Sequence, residues 1–292
     1  MNEEIYRPGL EGVIAGETAI STIAGGLQYR GYSIEDLASQ ASFEEVVHLL
    51  LYGELPTAEQ LAALHARLSE DAAVPEQLIK FLRHLPATAG MMDVMRTAAS
   101  ALAHWDPDVD DNGNAANLRK AERLTAQLPV ILAARHRLVQ DKEPVEADKH
   151  LSLAANLLWM LTRETPSPRA VQAMNVSLIM YAEHEYNAST FAARVVCSTL
   201  SDLHSGVTAA IGALKGPLHG GANERVLEVL EQVGSADKAE GWIRAALERK
   251  ERIMGFGHRV YKTGDPRAVI LKELCRELAT ETGHEEMEAI AD

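Results

Sequence analysis

Two short stretches carry the residue types from which chemistry could be built, Leu214-Lys-Gly-Pro-Leu-His-Gly-Gly-Ala-Asn223 and Gly255-Phe-Gly-His-Arg-Val-Tyr-Lys-Thr-Gly-Asp-Pro-Arg267. Each sets one histidine on a bend shaped by glycine and proline, His219 in the first and His258 in the second. Pro217 fixes a backbone angle, while Gly220 and Gly221 let the chain turn tightly or come close to a ligand. A helix-like run from Asn223 to Val233 follows at once, so His219 is expected just before a helix N-terminus. The positive end of the macrodipole disfavours an imidazolium there, and a neutral ring can donate a hydrogen bond to an oxygen that becomes negative. In the second stretch Gly255 and Gly257 leave room for close backbone approach, while His258 and Arg267 offer a carbonyl polariser and a fork for a carboxylate. Together the histidines and the arginine suit carbonyl chemistry.

Each feature also has an ordinary structural reading. A histidine beside glycines is most often a turn residue, and Asp265-Pro266 alone reads as a turn. Neither stretch is a nucleotide loop. Gly216-Pro-Leu-His-Gly-Gly lacks the spacing of a phosphate cradle, and Val260 stands where a third glycine would fall in Gly255-Phe-Gly-His-Arg-Val.

The elements that must position these residues are almost all helical. The one good strand signal is Ala19-Ile-Ser-Thr-Ile-Ala-Gly-Gly-Leu-Gln-Tyr29, read as a short hairpin turning at Gly25-Gly26. From Ser33 onward the pattern is helical. Ser42 with Glu45 and Thr57 with Gln60 are expected capping boxes, and Pro56 and Pro86 punctuate between helices. Met91 to Ala103 reads as a mostly buried helix, Leu118 to Val139 and His150 to Arg163 as further helices, with Pro166 and Pro168 opening the next. Val171 to Ala182, apolar nearly all round, is expected inside the protein or at a subunit interface. Phe191 to Leu200 and Val207 to Leu214, rich in small residues, are expected to form a dimer seam, with a monomer core as the alternative. After Gly221 the helices become charged, so the fold class is all-α, with a large helical domain over 1–220 and a smaller one over 221–292. From Asp108 the run Asp-x-Asp-x-Asn-Gly is the front half of a calcium loop, but Arg119 stands where the closing carboxylate is required. A solvated loop without metal is expected.

Composition narrows the function classes. The chain has 292 residues, 47% hydrophobic and 24% charged, ordinary for a globular protein. A formal net charge of −14 argues against nucleic acid or an anionic membrane as partner. Cys197 and Cys275 fit neither a metal spacing nor a disulfide framework, and the first residues lack a secretion signal, so a cytoplasmic location is expected.

Taken together, the two stretches and a third, Glu183-His-Glu-Tyr-Asn-Ala-Ser-Thr190, closely resemble in order the signature segments of the citrate synthase family. Gly26-Leu-Gln-Tyr-Arg-Gly-Tyr-Ser-Ile-Glu-Asp-Leu-Ala38 looks like that family's N-terminal segment, so the resemblance covers essentially the whole sequence. It implies an all-α fold with a mobile smaller domain, a homodimer or higher homo-oligomer, and condensation of oxaloacetate with acetyl-CoA followed by thioester hydrolysis to citrate and CoA. No metal or redox cofactor is implied, since acetyl-CoA is a substrate. Carried over by motif, His219 would bind the thioester oxygen as it becomes an enolate, and His258 would polarise the oxaloacetate carbonyl. His184 and Arg267 would bind oxaloacetate. Arg252-Ile253-Met-Gly255-Phe256-Gly257 matches the loop whose backbone reads the CoA adenine, with Lys262 a candidate for CoA phosphate.

Two departures stand out. Gly90-Met91-Met92 replaces the usual His-Pro-Met, and the segment carrying the family's catalytic aspartate is found nowhere in the sequence, its place falling past Asp292. The chain is therefore expected to be C-terminally incomplete. The alternatives are 2-methylcitrate synthase, which uses propionyl-CoA, and a non-catalytic relative that keeps the pocket as a binding or assembly protein.

Overall fold

The computed structural model of the chain describes residue 14 and residues 16–251, 253–256 and 264–292, and of 222–224 the backbone only. Ser21–Thr22 (β1) pairs antiparallel with Gln28–Tyr29 (β2), and β2 with Tyr32–Ser33 (β3). The register sets Ser21 opposite Tyr29 and Thr22 opposite Gln28. The turn passes through Gly25 and Gly26 as expected, with φ of 80° and 113°, a region open to glycine at no steric cost. The third strand, added by a bend at Arg30-Gly31, had no signal in the sequence.

Helices make up most of the rest. α1 (Ile34–Gln40) is followed by α2 (Phe43–Tyr52) and α3 (Ala58–Asp71), and both expected capping boxes are present, Ser42 with Glu45 and Thr57 with Gln60. α4 (Glu76–His84) leads to α5 (Met91–Leu102), which buries Val94, Met95, Ala98, Ala99 and Leu102. α6 (Asn114–Leu138) starts before the expected Leu118 and continues through Pro129, whose missing N–H removes one bond of the ladder. α7 (Leu153–Thr162) and α8 (Pro168–Met180) follow, the latter capped by Ser167 with Pro168 in its first turn. Then come α9 (Ala188–Cys197), α10 (Leu203–Leu214), α11 (Gly221–Val233), α12 (Ala236–Glu248), α13 (Pro266–Thr282) and α14 (Glu285–Ala291).

One core joins the hairpin to the helices that matter for the site. Leu27, Tyr29, Ile34, Leu37, Val46 and Leu49 meet Val176, Ile179 and Met180 of α8, and Ile270, Leu271 and Leu274 of α13 pack on the same cluster. The first turn of α13 is thereby brought to the end of α8. A second core joins α4, α5 and α6, with Leu203, Val207 and Ile211 of α10 against it.

The expected solvated loop after Trp105 is more ordered than its composition implies. Asp106 is buried and holds Arg123 through two bonds of 2.9 and 2.6 Å, and Arg119 turns back onto Asp108 at 3.0 Å. The fully buried Lys120 donates to the Asp111 carbonyl at 2.7 Å. Cationic side chains from α6 thus supply the charge that a metal ion gives a calcium loop.

α9 and α10 form a helical hairpin of close approach. A Cβ on Gly206 would lie 2.5 Å from Cys197 Sγ and 3.5 Å from the Ala193 carbonyl, so glycine is required where α10 crosses α9. Gly206→Ala is expected to lower stability by about 1–3 kcal/mol through overpacking, and adding Cys197→Ala should recover most of it. Urea unfolding of the single and double variants checks this.

Candidate active site

His219 lies in the turn between α10 and α11, just ahead of the helix as the sequence implies. Its N–H bonds the Gly216 carbonyl at 2.9 Å, and the Gly221 N–H bonds the same oxygen at 3.2 Å. The two glycines are needed for a local reason. A Cβ on Gly220 would come within 2.8 Å of the Leu214 carbonyl, and one on Gly221 within 2.6 Å of the Lys215 carbonyl. The close approach is to the turn's own backbone. The turn is tied to the start of α5 by Lys215 Nζ, 2.7 and 2.8 Å from the Asp93 carboxylate, which this ammonium holds below the usual carboxylate range.

His219 Nε2 is 2.8 Å from Ser189 Oγ in the first turn of α9. Because α9 and α10 run back to back through a short connection, the start of one lies beside the end of the other, where this contact forms. Ser189 is itself placed by the cap: Asn187 Oδ1 accepts the N–H groups of Ser189 and Thr190 at 3.0 and 3.1 Å.

His184 sits upstream, in the irregular stretch between α8 and α9. That stretch is held by the hairpin. Tyr29, with none of its surface exposed, shares its one hydroxyl proton between the Ile179 and Glu183 carbonyls at 2.9 and 3.0 Å and accepts the Glu183 N–H at 3.2 Å. Ser21 Oγ accepts the Glu185 N–H at 2.9 Å and donates to Glu183 Oε1 at 3.2 Å, and Glu185 Oε1 accepts the Ile23 N–H at 2.8 Å.

Arg267 reaches the other end of the stretch. From the first turn of α13 its Nη1 points at the Met180 carbonyl, 3.5 Å away, and its guanidinium carbon lies 5.8 Å from the Tyr181 ring centre. Asp265, expected to be structural, caps α13 by accepting the Arg267 N–H at 3.0 Å and grips the Nε and Nη2 edge at 3.0 and 2.6 Å. Residues 180–190 therefore collect Arg267 at one end, His184 in the middle and His219 at the other. The imidazole on this segment and the guanidinium of α13 beside its start, whose Nε and Nη2 edge Asp265 already takes, suit a small anion, and the second imidazole can serve an adjoining carbonyl.

Of the expected ligand loop, Ile253 is half-buried and Phe256 is 69% exposed. Gly255 has a φ of 90° and would place a Cβ 3.0 Å from Val226 of α11, so the fold itself favours a glycine here. His258, Arg252, Gly257 and Lys262 lie outside the described residues. Among the described residues no group of His, Cys, Asp and Glu gathers as a metal site, and no helix is long and apolar enough to cross a membrane. Ser189 was missed as a partner of His219. It stood in a recognised segment, but nothing in its spacing pointed to the other histidine.

Burial pushes the Glu183 carboxyl above its usual range. The folded state thus holds that proton more tightly than the unfolded chain, a stabilising contribution complete below about pH 4.3 and lost as pH rises through the higher folded value. Glu183→Gln is expected to match the parent's melting temperature near pH 4 and to exceed it at about pH 7. Scanning calorimetry across that range checks it, and a variant less stable at neutral pH contradicts the burial account.

The chain matches known proteins over nearly all of its length. A family model described as citrate synthase, C-terminal domain, matches residues 9–292. Citrate synthase 2 of Bacillus subtilis (strain 168) is 50% identical over 277 residues, covering 94% of this chain and 74% of the relative. The 2-methylcitrate synthase of Shewanella oneidensis is 45% identical over 283 residues, covering 96% and 75%. Among solved structures, citrate synthase from Thermoplasma acidophilum in a ternary complex with carboxymethyl coenzyme A and oxaloacetate superposes with a TM-score of 0.90 at 34% identity, covering 96% of this chain and 75% of that one.

Proposed function

The chain belongs to the citrate synthase family, transferases that make citrate by forming a carbon–carbon bond, and from that premise we propose a division of labour among its own residues. His184 and Arg267 hold oxaloacetate, His258 polarises its carbonyl, and His219 meets the thioester oxygen of acetyl-CoA. When the acetyl group loses its α-proton, charge builds on that oxygen. The enolate carbon then attacks the oxaloacetate carbonyl carbon, whose oxygen takes up a proton. Water finally cleaves the thioester, releasing citrate and the CoA thiol. The backbone at 252–257 and Lys262 are the proposed CoA contacts. The scheme needs no resident metal or redox cofactor, because each charge that develops is met by a side-chain donor. The base that takes the α-proton is assigned to no residue of this sequence.

The observation that carries the reading is the 2.8 Å contact of Ser189 Oγ with His219 Nε2. If the hydroxyl donates, Nε2 is the acceptor, the ring is neutral, and its one proton sits on Nδ1. That N–H is then the donor for the enolate oxygen, and a donor aimed where charge develops lowers a barrier by about 3–4 kcal/mol. A second copy of the chain is the proposed partner for the face that α9 and α10 leave to solvent, where Val195 is 51% and Leu200 80% exposed. The proposed location is the cytoplasm, supported by Cys197 and Cys275 both being thiols.

A 2-methylcitrate synthase is the second reading, favoured by the 45% identity to the Shewanella enzyme. One methylene in an apolar pocket changes selectivity by only about 1–3 kcal/mol, so the two activities lie close together. Thiol release with oxaloacetate and each acyl-CoA, measured on a chain that also carries the family's catalytic aspartate segment, separates them. Faster turnover of acetyl-CoA is expected, and faster turnover of propionyl-CoA would reverse the order. Oxaloacetate binding without thiol release from either would support the non-catalytic binding protein. In the same assay His219→Ala is expected to lower kcat by about a hundred- to a thousandfold while oxaloacetate affinity stays unchanged; full activity would remove His219 from the chemistry.

A further inference from the structure

We propose that Ser21 and Tyr29 position His184 by fixing the two peptide planes on either side of its Cα. The peptide unit is planar, so the φ of His184 is set by the plane it shares with Glu183 and its ψ by the plane it shares with Glu185. The oxygen of the first plane, the Glu183 carbonyl, accepts from the Tyr29 hydroxyl at 3.0 Å. The N–H of the second plane, that of Glu185, donates to Ser21 Oγ at 2.9 Å. Both hydroxyls come from one cross-strand pair, since the β1–β2 register sets Ser21 directly opposite Tyr29. Their side chains therefore leave the same face of the hairpin.

Further observations support a role beyond tethering. Anchoring the hairpin to the end of α8 would need only the Tyr29 bond to the Ile179 carbonyl at 2.9 Å, yet the bonds continue along the backbone on both sides of His184. Glu185 holds a φ of 53°, a conformation non-glycine residues seldom adopt, and such strain persists only where the surroundings impose it. Here Ser21 binds its N–H, and the Ile23 N–H holds its carboxylate at 2.8 Å. Tyr29 is 0% and Ser21 7% exposed, so bulk water does not compete for these bonds. With both planes held, the Cα–Cβ bond of His184 has one direction before any ligand arrives, which lowers the ordering cost of binding.

The inference rests on the reading of His184 as an oxaloacetate ligand, and the experiment separates the two. Tyr29→Phe keeps the ring and removes the hydroxyl, Ser21→Ala removes the other, and Ser21→Thr retains one. Calorimetric titration of the intact protein with oxaloacetate, and separately with CoA, gives the affinities. Tyr29→Phe and Ser21→Ala are each expected to weaken oxaloacetate by about three- to tenfold, with CoA affinity unchanged and Ser21→Thr restoring the parent value. In a His184→Ala background neither should cause a further loss, because the effect runs through the missing ring. Unchanged oxaloacetate affinity in both variants, an equal loss for CoA, or the same further loss without His184 would overturn the positioning role. If Tyr29→Phe does not fold, the Ser21 pair of variants makes the same comparison. Parent-like oxaloacetate affinity in His184→Ala alone would remove the reading of His184, and this inference with it.

Discussion

A half-buried stretch of irregular backbone needs partners for N–H and carbonyl groups that no helix ladder supplies, and residues 182–187 show where this chain finds several of them. Helices satisfy their own backbone, so a purely helical protein has few groups to lend to such a stretch. The short hairpin at the start supplies them. Its Ser21 and Tyr29 hydroxyls and the Ile23 N–H reach across to Glu183 and Glu185, and its Leu27 and Tyr29 side chains join the core under α8.

The same stretch connects to the rest of the site through packing. α13 rests on the hairpin core with Ile270, Leu271 and Leu274, which brings Arg267 to the carbonyl of Met180. α9 and α10 approach closely at Gly206, and that registers Ser189 against His219. Away from the site, buried charges brace the helices that carry this arrangement. Glu122 of α6 accepts the Nε and Nη2 edge of Arg67 from α3 in two bonds of 2.8 Å, and Asp106 and Asp108 take Arg123 and Arg119. Removing one partner of the Asp106–Arg123 pair, buried on both sides, leaves an uncompensated charge and is destabilising.

Much of this was legible in the sequence because it rests on local signals. The boxes at Ser42 and Thr57, the Gly25-Gly26 turn, the proline start of α8 and the place of His219 ahead of α11 each depend on a few adjacent residues. What escaped depends on distant ones. The order of the 106–113 loop comes from Arg119, Lys120 and Arg123 of α6, and the start of that helix at Asn114 had no local cap signal. The glycines of the His219 turn were rightly marked as close-approach residues, yet what they approach is their own chain. Ser189 and Tyr29 carried no spacing that named His219 or the His184 stretch as partners, since a side-chain contact across the fold leaves no periodicity behind.

One segment, pinned by the hairpin, gathers the groups proposed to hold oxaloacetate and meet the acyl-CoA. A crystal structure of the protein with oxaloacetate and a CoA thioester analogue tests it most directly. The account predicts oxaloacetate within hydrogen-bonding distance of His184 and Arg267, and the analogue's acyl oxygen at His219. Oxaloacetate seated away from residues 180–190, with those side chains turned elsewhere, would contradict it.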